Sequence, residues 1–417
     1  MLPVIALIFL VAAIVIGFVR NINVGLTCLG LALILGEIGG VPTKEILAGF
    51  PSKLFLTLLG TMFFFSLLQD NKTLELLSKK MVSLVGKRMF LIPIIIYVVS
   101  YLMSAAGPGA ISVQTVMVMF AVALAVQMDA SPILMGGMAI LGAVGGTTSP
   151  IALTGILITD LTAEIEGLSN IAQPVFAGVS VANLVCAVIV YFVFGGYKLK
   201  GSTEIKEELP KFNRDQIICI IALAVMVVTV VGFKYDVGLV CFTLSLILML
   251  LGTVNQKGAL KLVPWSVLIL ICGVNVLMEV TKAMGGIDLL ADLLASLMNQ
   301  ITASPIMGLT GGIMSWFSSA NGVVFPTLIP TVPAIVENVG GSVGSVEMIM
   351  AIIGAATVAG SSRMSTGGSL ILAYYTQGKE VSDKEQSSIF AKLFATSFGC
   401  VMVIVIFALV GGFKLFC

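Results

Sequence analysis

The sequence contains no histidine, and only 10% of its 417 residues are charged. The first absence removes the commonest transition-metal ligand and the usual proton carrier near neutral pH, so a histidine relay is excluded and a transition-metal site is not expected. The second excludes an ordinary soluble domain, in which about 25% of residues would be charged. No basic tract suited to nucleic acid is present, and no nucleic-acid partner is expected. The seven cysteines, Cys28, Cys186, Cys219, Cys241, Cys272, Cys400 and Cys417, stand singly and form no Cys-x-x-Cys pair, which reads as small buried side chains. No nucleophile and base are paired in a way that supports an enzyme, and no cofactor is implied. The start, Met1-Leu2-Pro3-Val4, lacks a basic leader and a small-residue cleavage site, so it reads as a first membrane helix.

What is present is apolar: 58% of residues are hydrophobic and the mean hydropathy is +1.13. This composition predicts an all-α polytopic membrane protein. Apolar spans fall at about 3–19, 24–40, 54–69, 89–103, 108–127, 131–159 and 173–195, and again, after a charged stretch over 197–215, at about 216–233, 237–253, 264–281, 302–317, 322–335, 346–375 and 388–413. Two spans carry an interruption. The first reads Gly142-Ala143-Val144-Gly145-Gly146-Thr147-Thr148-Ser149-Pro150, and the second Gly360-Ser361-Ser362-Arg363. Paired broken helices in matched halves point to a secondary transporter.

The halves resemble each other in letters. At an offset of 213, Val24-Gly25-Leu26 falls on Val237-Gly238-Leu239, Cys28 on Cys241, Gly39 on Gly252, Lys44 on Lys257, Pro51 on Pro264 and Gly60 on Gly273. At 214, Ser104-Ala105-Ala106-Gly107 falls on Ser318-Ser319-Ala320-Asn321, and Gly146-Thr147-Thr148 on Gly360-Ser361-Ser362. The expected organisation is a first repeat over 1–196, a connector over 197–215 and a second repeat over 216–417. Each repeat would make five net crossings, and an odd count inverts the second copy. Sixteen of the 22 basic residues, including Lys79, Lys80, Lys198 and Lys392, fall on one side of that topology, which predicts it to be cytoplasmic, with both chain ends outside. The expected location is the cell inner (plasma) membrane.

The segment from Phe90 to Ser104 is about 22 Å long as a helix, short of the roughly 20 residues a crossing needs. A re-entrant hairpin is therefore expected, with its tip at Ser104-Ala105-Ala106-Gly107-Pro108-Gly109. A second tip is expected at Ser318-Ser319-Ala320-Asn321-Gly322. Unpaired backbone at such depth is tolerated only inside protein or beside a wet cavity. Inverted symmetry can bring both tips and both broken helices together near the midplane. The amphipathic run from Asn71 to Arg88 and its counterpart over 284–299 read as interfacial helices.

Broken helices present N–H groups to anions and carbonyls to cations. The residues expected to bind substrate are Ser104, Gly146, Thr147, Thr148, Ser318, Ser319, Asn321, Ser361, Ser362 and Arg363. Hydroxyls here, with those of Ser149, Ser365 and Thr366, can donate to carboxylate oxygens, and glycine lets the backbone come close. The residues expected to hold a coupling ion are Ser104, Gly145, Thr147, Ser319, Asn321 and Ser361. Arg363 has no evident acidic neighbour at helical spacing. Its planar fork suits a carboxylate, and its counterpart at the offset of 214 is the uncharged Ser149. Weak acidic candidates, Glu37, Glu279 and Asp160 among them, tilt the coupling ion toward sodium held by carbonyls and hydroxyls.

In the arrangement of these tips and breaks the chain resembles the ion transporter superfamily, and within it the divalent anion symporters and the malonate-type dicarboxylate carriers. The resemblance extends over about residues 3–413. It implies an inverted-repeat homodimer in which a transport part moves against a scaffold in an elevator-like manner. The tip serines with Asn321, and Gly146, Thr147, Thr148, Gly360, Ser361 and Ser362, are the positions that carry over. The expected function is transport of a small dicarboxylate, of malonate or C4 type, coupled to sodium or protons, with a small organic anion, a coupling cation and the lipid bilayer as partners. The alternatives are a cation/proton or arsenite antiporter of the same superfamily and a non-transporting membrane scaffold.

Overall fold

In the computed structural model, residues 1–20, 22–83, 88–128, 130–163, 165–199, 210–340, 343–361, 366–376 and 383–417 are described. The helices are α1 Leu2–Arg20, α2 Val24–Gly39, α3 Thr43–Ala48, α4 Ser52–Asp70, α5 Thr73–Ser83, α6 Ile92–Ala105, α7 Gly109–Gln127, α8 Pro132–Gly146, α9 Leu153–Thr162 and α10 Ala172–Val193. They continue as α11 Arg214–Val227, α12 Val237–Leu250, α13 Gln256–Leu262, α14 Trp265–Ala283, α15 Gly286–Ala295, α16 Ala303–Phe317, α17 Phe325–Leu328, α18 Val332–Val339, α19 Ser345–Ala359, α20 Thr366–Thr376 and α21 Asp383–Leu409. Seven helices among the described residues are long and apolar enough to cross a membrane. The chain is an all-helical, multi-pass membrane protein.

Local chemistry places the helix ends. The side chain of Asn23 caps α2 by accepting from the Gly25 N–H at 2.9 Å, and Asp236, its counterpart at the offset of 213, caps α12 by accepting from Leu239 at 2.9 Å. Pro51 and Pro264 stand immediately before α4 and α14. Each lacks an N–H and so starts a helix without leaving a donor unpaired. The amphipathic run after Asn71 forms the short helix α5, with a Lys79–Glu75 ion pair at 2.9 Å, and its counterpart forms α15.

Two helix crossings set the frame, and glycine makes both. A Cβ on Gly25 of α2 would stand 2.3 Å from the Ile269 carbonyl oxygen of α14, and one on Gly273 of α14 would stand 2.2 Å from the Gly25 oxygen. The same contact recurs between α12 and α4. A Cβ on Gly238 would stand 2.5 Å from Thr57 Cα, and one on Gly60 would stand 2.4 Å from the Gly238 oxygen. The four glycines are two pairs at the offset of 213, and each pair is split between the crossings. Backbone-to-backbone packing of this kind is what small residues permit in a membrane, where lipid removes the hydrophobic drive for helix association.

The predicted hairpin arms are unequal. Helix α6 has 14 residues and α7 has 19, so α7 alone is long enough to span by length. Both pack against the first broken helix. A Cβ on Gly142 of α8 would lie 2.3 Å from the Tyr97 oxygen of α6, and one on Gly146 would lie 2.2 Å from the Tyr101 oxygen. In the second half the small residues sit on the hairpin arm instead, as Gly308 and Gly311 of α16 face Ala351 and Ile352 of α19.

Candidate functional site

The first break separates α8 from α9 by Thr147–Ala152, and its own backbone ties it together. The Ser149 N–H donates to the Gly146 oxygen at 3.0 Å, Ala152 to Ser149 at 2.9 Å, and Gly155 to Thr147 at 3.1 Å. Gly155 has no room for a side chain, because a Cβ there would lie 1.9 Å from the Ser149 oxygen. Pro150 cannot donate to a helical ladder, so the chain turns here and restarts as α9 inside the protein. The first hairpin tip lies against this turn. Gly107 and Gly109 of the tip adopt φ of +138° and +76°, conformations that glycine reaches without a Cβ clash. Phe65 of α4 packs directly on Gly107.

A directed chain of hydrogen bonds joins three of the four interruptions. Thr154 of α9 donates its hydroxyl to Asn321 Oδ1 at 2.9 Å. A hydroxyl has one proton, so the 3.1 Å contact between Thr147 and Thr154 must be donated by Thr147. Thr147 Oγ1 in turn accepts from the Ala110 N–H of the first hairpin at 3.3 Å. Donation therefore runs from Ala110 to Thr147, from Thr147 to Thr154 and from Thr154 to Asn321, the final acceptor. It brings the first tip, the first broken helix and the second tip into one buried cluster, with Thr154 fully buried. With Oδ1 occupied, Asn321 has its Nδ2 hydrogens left to donate, and they meet no acceptor among the described residues. Ser319 caps the short helical turn that carries Asn321 by accepting from the Gly322 N–H at 3.2 Å.

The remaining expected site residues differ in how their protons are used. Thr148 donates to the Gly145 oxygen at 3.1 Å, Ser318 to Met314 at 2.7 Å and Ser361 to Val358 at 2.7 Å. Each hydroxyl turns back on its own helix, as serine and threonine commonly do. In this conformation these oxygens present lone pairs. Lone pairs of this kind suit a cation, whereas Asn321 Nδ2 and the N–H groups at the buried start of α9 suit an anion. Ser104 is buried, and its hydroxyl has no partner among the described residues. Gly146 packs on Tyr101, and Gly145 faces Tyr101 and Asn183. Of the second break, Gly360 and Ser361 are described, and Gly367 of α20 stands against the Gly360 oxygen and Ile140 of α8. Ser362, Arg363 and Ser365, and the side chain of Thr366, lie outside the described residues.

Two residues of this region were not among the sequence expectations. Thr154 falls on Gly368 at the offset of 214, so the repeat offers no signal for it. Asn183 of α10 is fully buried, and both polar atoms of its amide lack partners among the described residues. It does carry a sequence signal, as the one side-chain amide in the mostly apolar run of residues 175–194. In the second half its counterpart Ser397 accepts from Trp316 Nε1 at 3.0 Å and donates to the Ala359 oxygen at 3.0 Å. In the first half Trp316 falls on Leu102, and the neighbouring Tyr101 pairs with Ser180 at 2.9 Å.

No curated protein matches the chain. Residues 1–147, which run from α1 to the first break, match the family described as dicarboxylate carrier protein MatC N-terminus.

Proposed function

We propose that this protein is a secondary active transporter of a small dicarboxylate, of malonate or C4 type, coupled to sodium or protons. The chain of donors from Ala110 through Thr147 and Thr154 to Asn321 carries this reading, together with the match of residues 1–147 to a dicarboxylate carrier family. It places separate helix interruptions around one buried polar cluster, where backbone groups released from helical bonding can act on a solute. Asn321 Nδ2 and the first N–H groups of α9 are donors suited to a carboxylate. At that start Ala152, Gly155 and Ile156 are tied down, to Ser149, Thr147 and Ala152, which leaves the N–H groups of Leu153 and Thr154. Arg363, read from the sequence, would supply the positive charge for a bidentate carboxylate contact. The hydroxyl oxygens of Thr148, Ser318 and Ser361, whose protons are turned onto their own helices, are acceptors suited to sodium.

A homodimer working by an elevator-type movement in the inner membrane belongs to the same proposal. The two halves then act as inverted repeats over 1–196 and 216–417, joined by the connector. The test is uptake of labelled malonate, succinate and citrate into proteoliposomes, with sodium and proton gradients imposed separately. Uptake of a dicarboxylate driven by one of the gradients is expected. Uptake indifferent to both gradients would refute coupled symport, and no uptake of any of the three would refute the substrate class.

A further inference from the structure

A cavity of about 240 Å³ lies between α10 and α21, lined by Cys186, Val190 and Val193 on one side and by Lys392, Gly399 and Cys400 on the other. Apart from Lys392 and Thr396 its lining is apolar, and the Thr396 hydroxyl is already bonded to the Lys392 oxygen at 2.7 Å. Nothing stands within 4 Å of a Cβ built on Gly399, so the groove is open along that helix. The lining extends from Lys392 to Val403 along α21, about 16 Å of helix.

The repeat shows why this groove is unfilled. Gly195-Gly196-Tyr197-Lys198-Leu199 follows α10, and Gly411-Gly412-Phe413-Lys414-Leu415 follows α21. Both segments turn on a glycine of positive φ, 71° at Gly195 and 75° at Gly411, and both form a 3-10 turn. They end differently. Phe413 is fully buried, packs on Phe407 with ring centroids 4.9 Å apart and, with Phe416, covers Gly178 of α10. Tyr197 is 52% exposed, and the position matching Gly178 at the offset of 214 is Lys392. One end of the α10–α21 seam is therefore covered by the chain's own rings. At the other end the counterpart ring stands out, and a lysine holds the position that matches the covered glycine.

We infer that this groove is a binding site for an anionic phospholipid, with one acyl chain along Gly399 and Cys186 and the head-group phosphate at Lys392. Charge complementarity selects this occupant: the trough is apolar along its length, and among the described residues that line it the one charged side chain is the cation Lys392. A neutral lipid would gain the chain contacts alone. Basic side chains near a membrane surface attract anionic lipid with a strength that corresponds to about fivefold in occupancy for one lysine.

The test uses the full-length protein in nanodiscs made from equal parts of phosphatidylglycerol and phosphatidylcholine, then released into mild detergent for native mass spectrometry. Wild type is expected to retain phosphatidylglycerol over phosphatidylcholine by about fivefold. Gly399→Phe, which places a ring in open space, is expected to lose the retained lipid while melting with wild type. Lys392→Gln, a surface change, is expected to keep a lipid and lose the preference. Absence of a preference in wild type, or a preference that survives Lys392→Gln, would overturn the inference. So would undiminished lipid retention in a folded Gly399→Phe protein.

Discussion

Replacing Gly25 by alanine tests the packing of the frame most directly. The new Cβ would lie 2.3 Å from the Ile269 oxygen and 2.5 Å from Leu270 Cα, and both are backbone atoms that no rotamer change can move. Reaching a contact of about 3 Å or more requires α2 and α14 to part by roughly 0.7 Å at their crossing, and such overpacking costs about 1–3 kcal/mol. The helix propensity of alanine over glycine returns up to about 1 kcal/mol, leaving a net loss of up to about 2 kcal/mol. Gly30, on the same helix, is the internal reference. Nothing stands within 4 Å of its Cβ position, so Gly30→Ala is expected to stabilise by about 0.5–1 kcal/mol. The related crossing should respond alike, with Gly238→Ala and Gly60→Ala both melting early. Because Gly25 and Gly273 share one contact, their double substitution should cost less than the sum of the singles. The assay is the melting temperature of detergent-purified protein. Should Gly25→Ala melt at or above Gly30→Ala, the close crossing inferred from the glycine geometry would be wrong.

Further outcomes follow from the site. Thr154→Val leaves Asn321 Oδ1 without its donor and Thr147 without its acceptor; at about 1–3 kcal/mol for an unsatisfied buried group, dicarboxylate uptake should fall by about tenfold or more, with Thr154→Ser restoring it. Gly155→Ala brings a Cβ against the Ser149 oxygen and should abolish uptake, whereas alanine at Gly167, where φ is +79° and space is open, should leave uptake intact. Arg363→Ala should abolish the rise in melting temperature produced by malonate in a protein that still folds, and wild-type affinity in that variant would remove Arg363 from the site. Asn183→Leu removes two buried polar atoms that have no partner among the described residues and should raise stability by about 1–3 kcal/mol. If Asn183 contributes to transport, the same variant will show reduced uptake, and a lower melting temperature would instead mean that the amide is satisfied in the native protein.

Much of the architecture is local chemistry and could be read along the chain. A bilayer obliges each crossing to satisfy its own backbone, so apolar spans became helices with bounds close to those expected, and Gly-Ser-Thr-Pro clusters inside them became interruptions. The span over 131–159, for example, resolves into α8 and α9 on either side of Thr147–Ala152. The shared letters at offsets of 213 and 214 located Gly25, Gly60, Gly238 and Gly273 as a related set. Their meaning as two helix crossings came only with the packing.

Tertiary structure decided what depends on which helices meet and which way protons point. Thr154 and Asn321 are 167 residues apart, and no spacing rule connects them. The same hydroxyl letters in Thr147 and Thr148 serve opposite purposes: one links the first hairpin to α9, and the other turns back on Gly145. Likewise, related segments after α10 and α21 bury Phe413 over Gly178 and expose Tyr197, and the position that matches Gly178 is Lys392. Hydropathy and helix breakers act over a few residues and are legible in order along the chain. Hydrogen-bond direction and close backbone approach are properties of helix crossings, which exist only once the chain has folded.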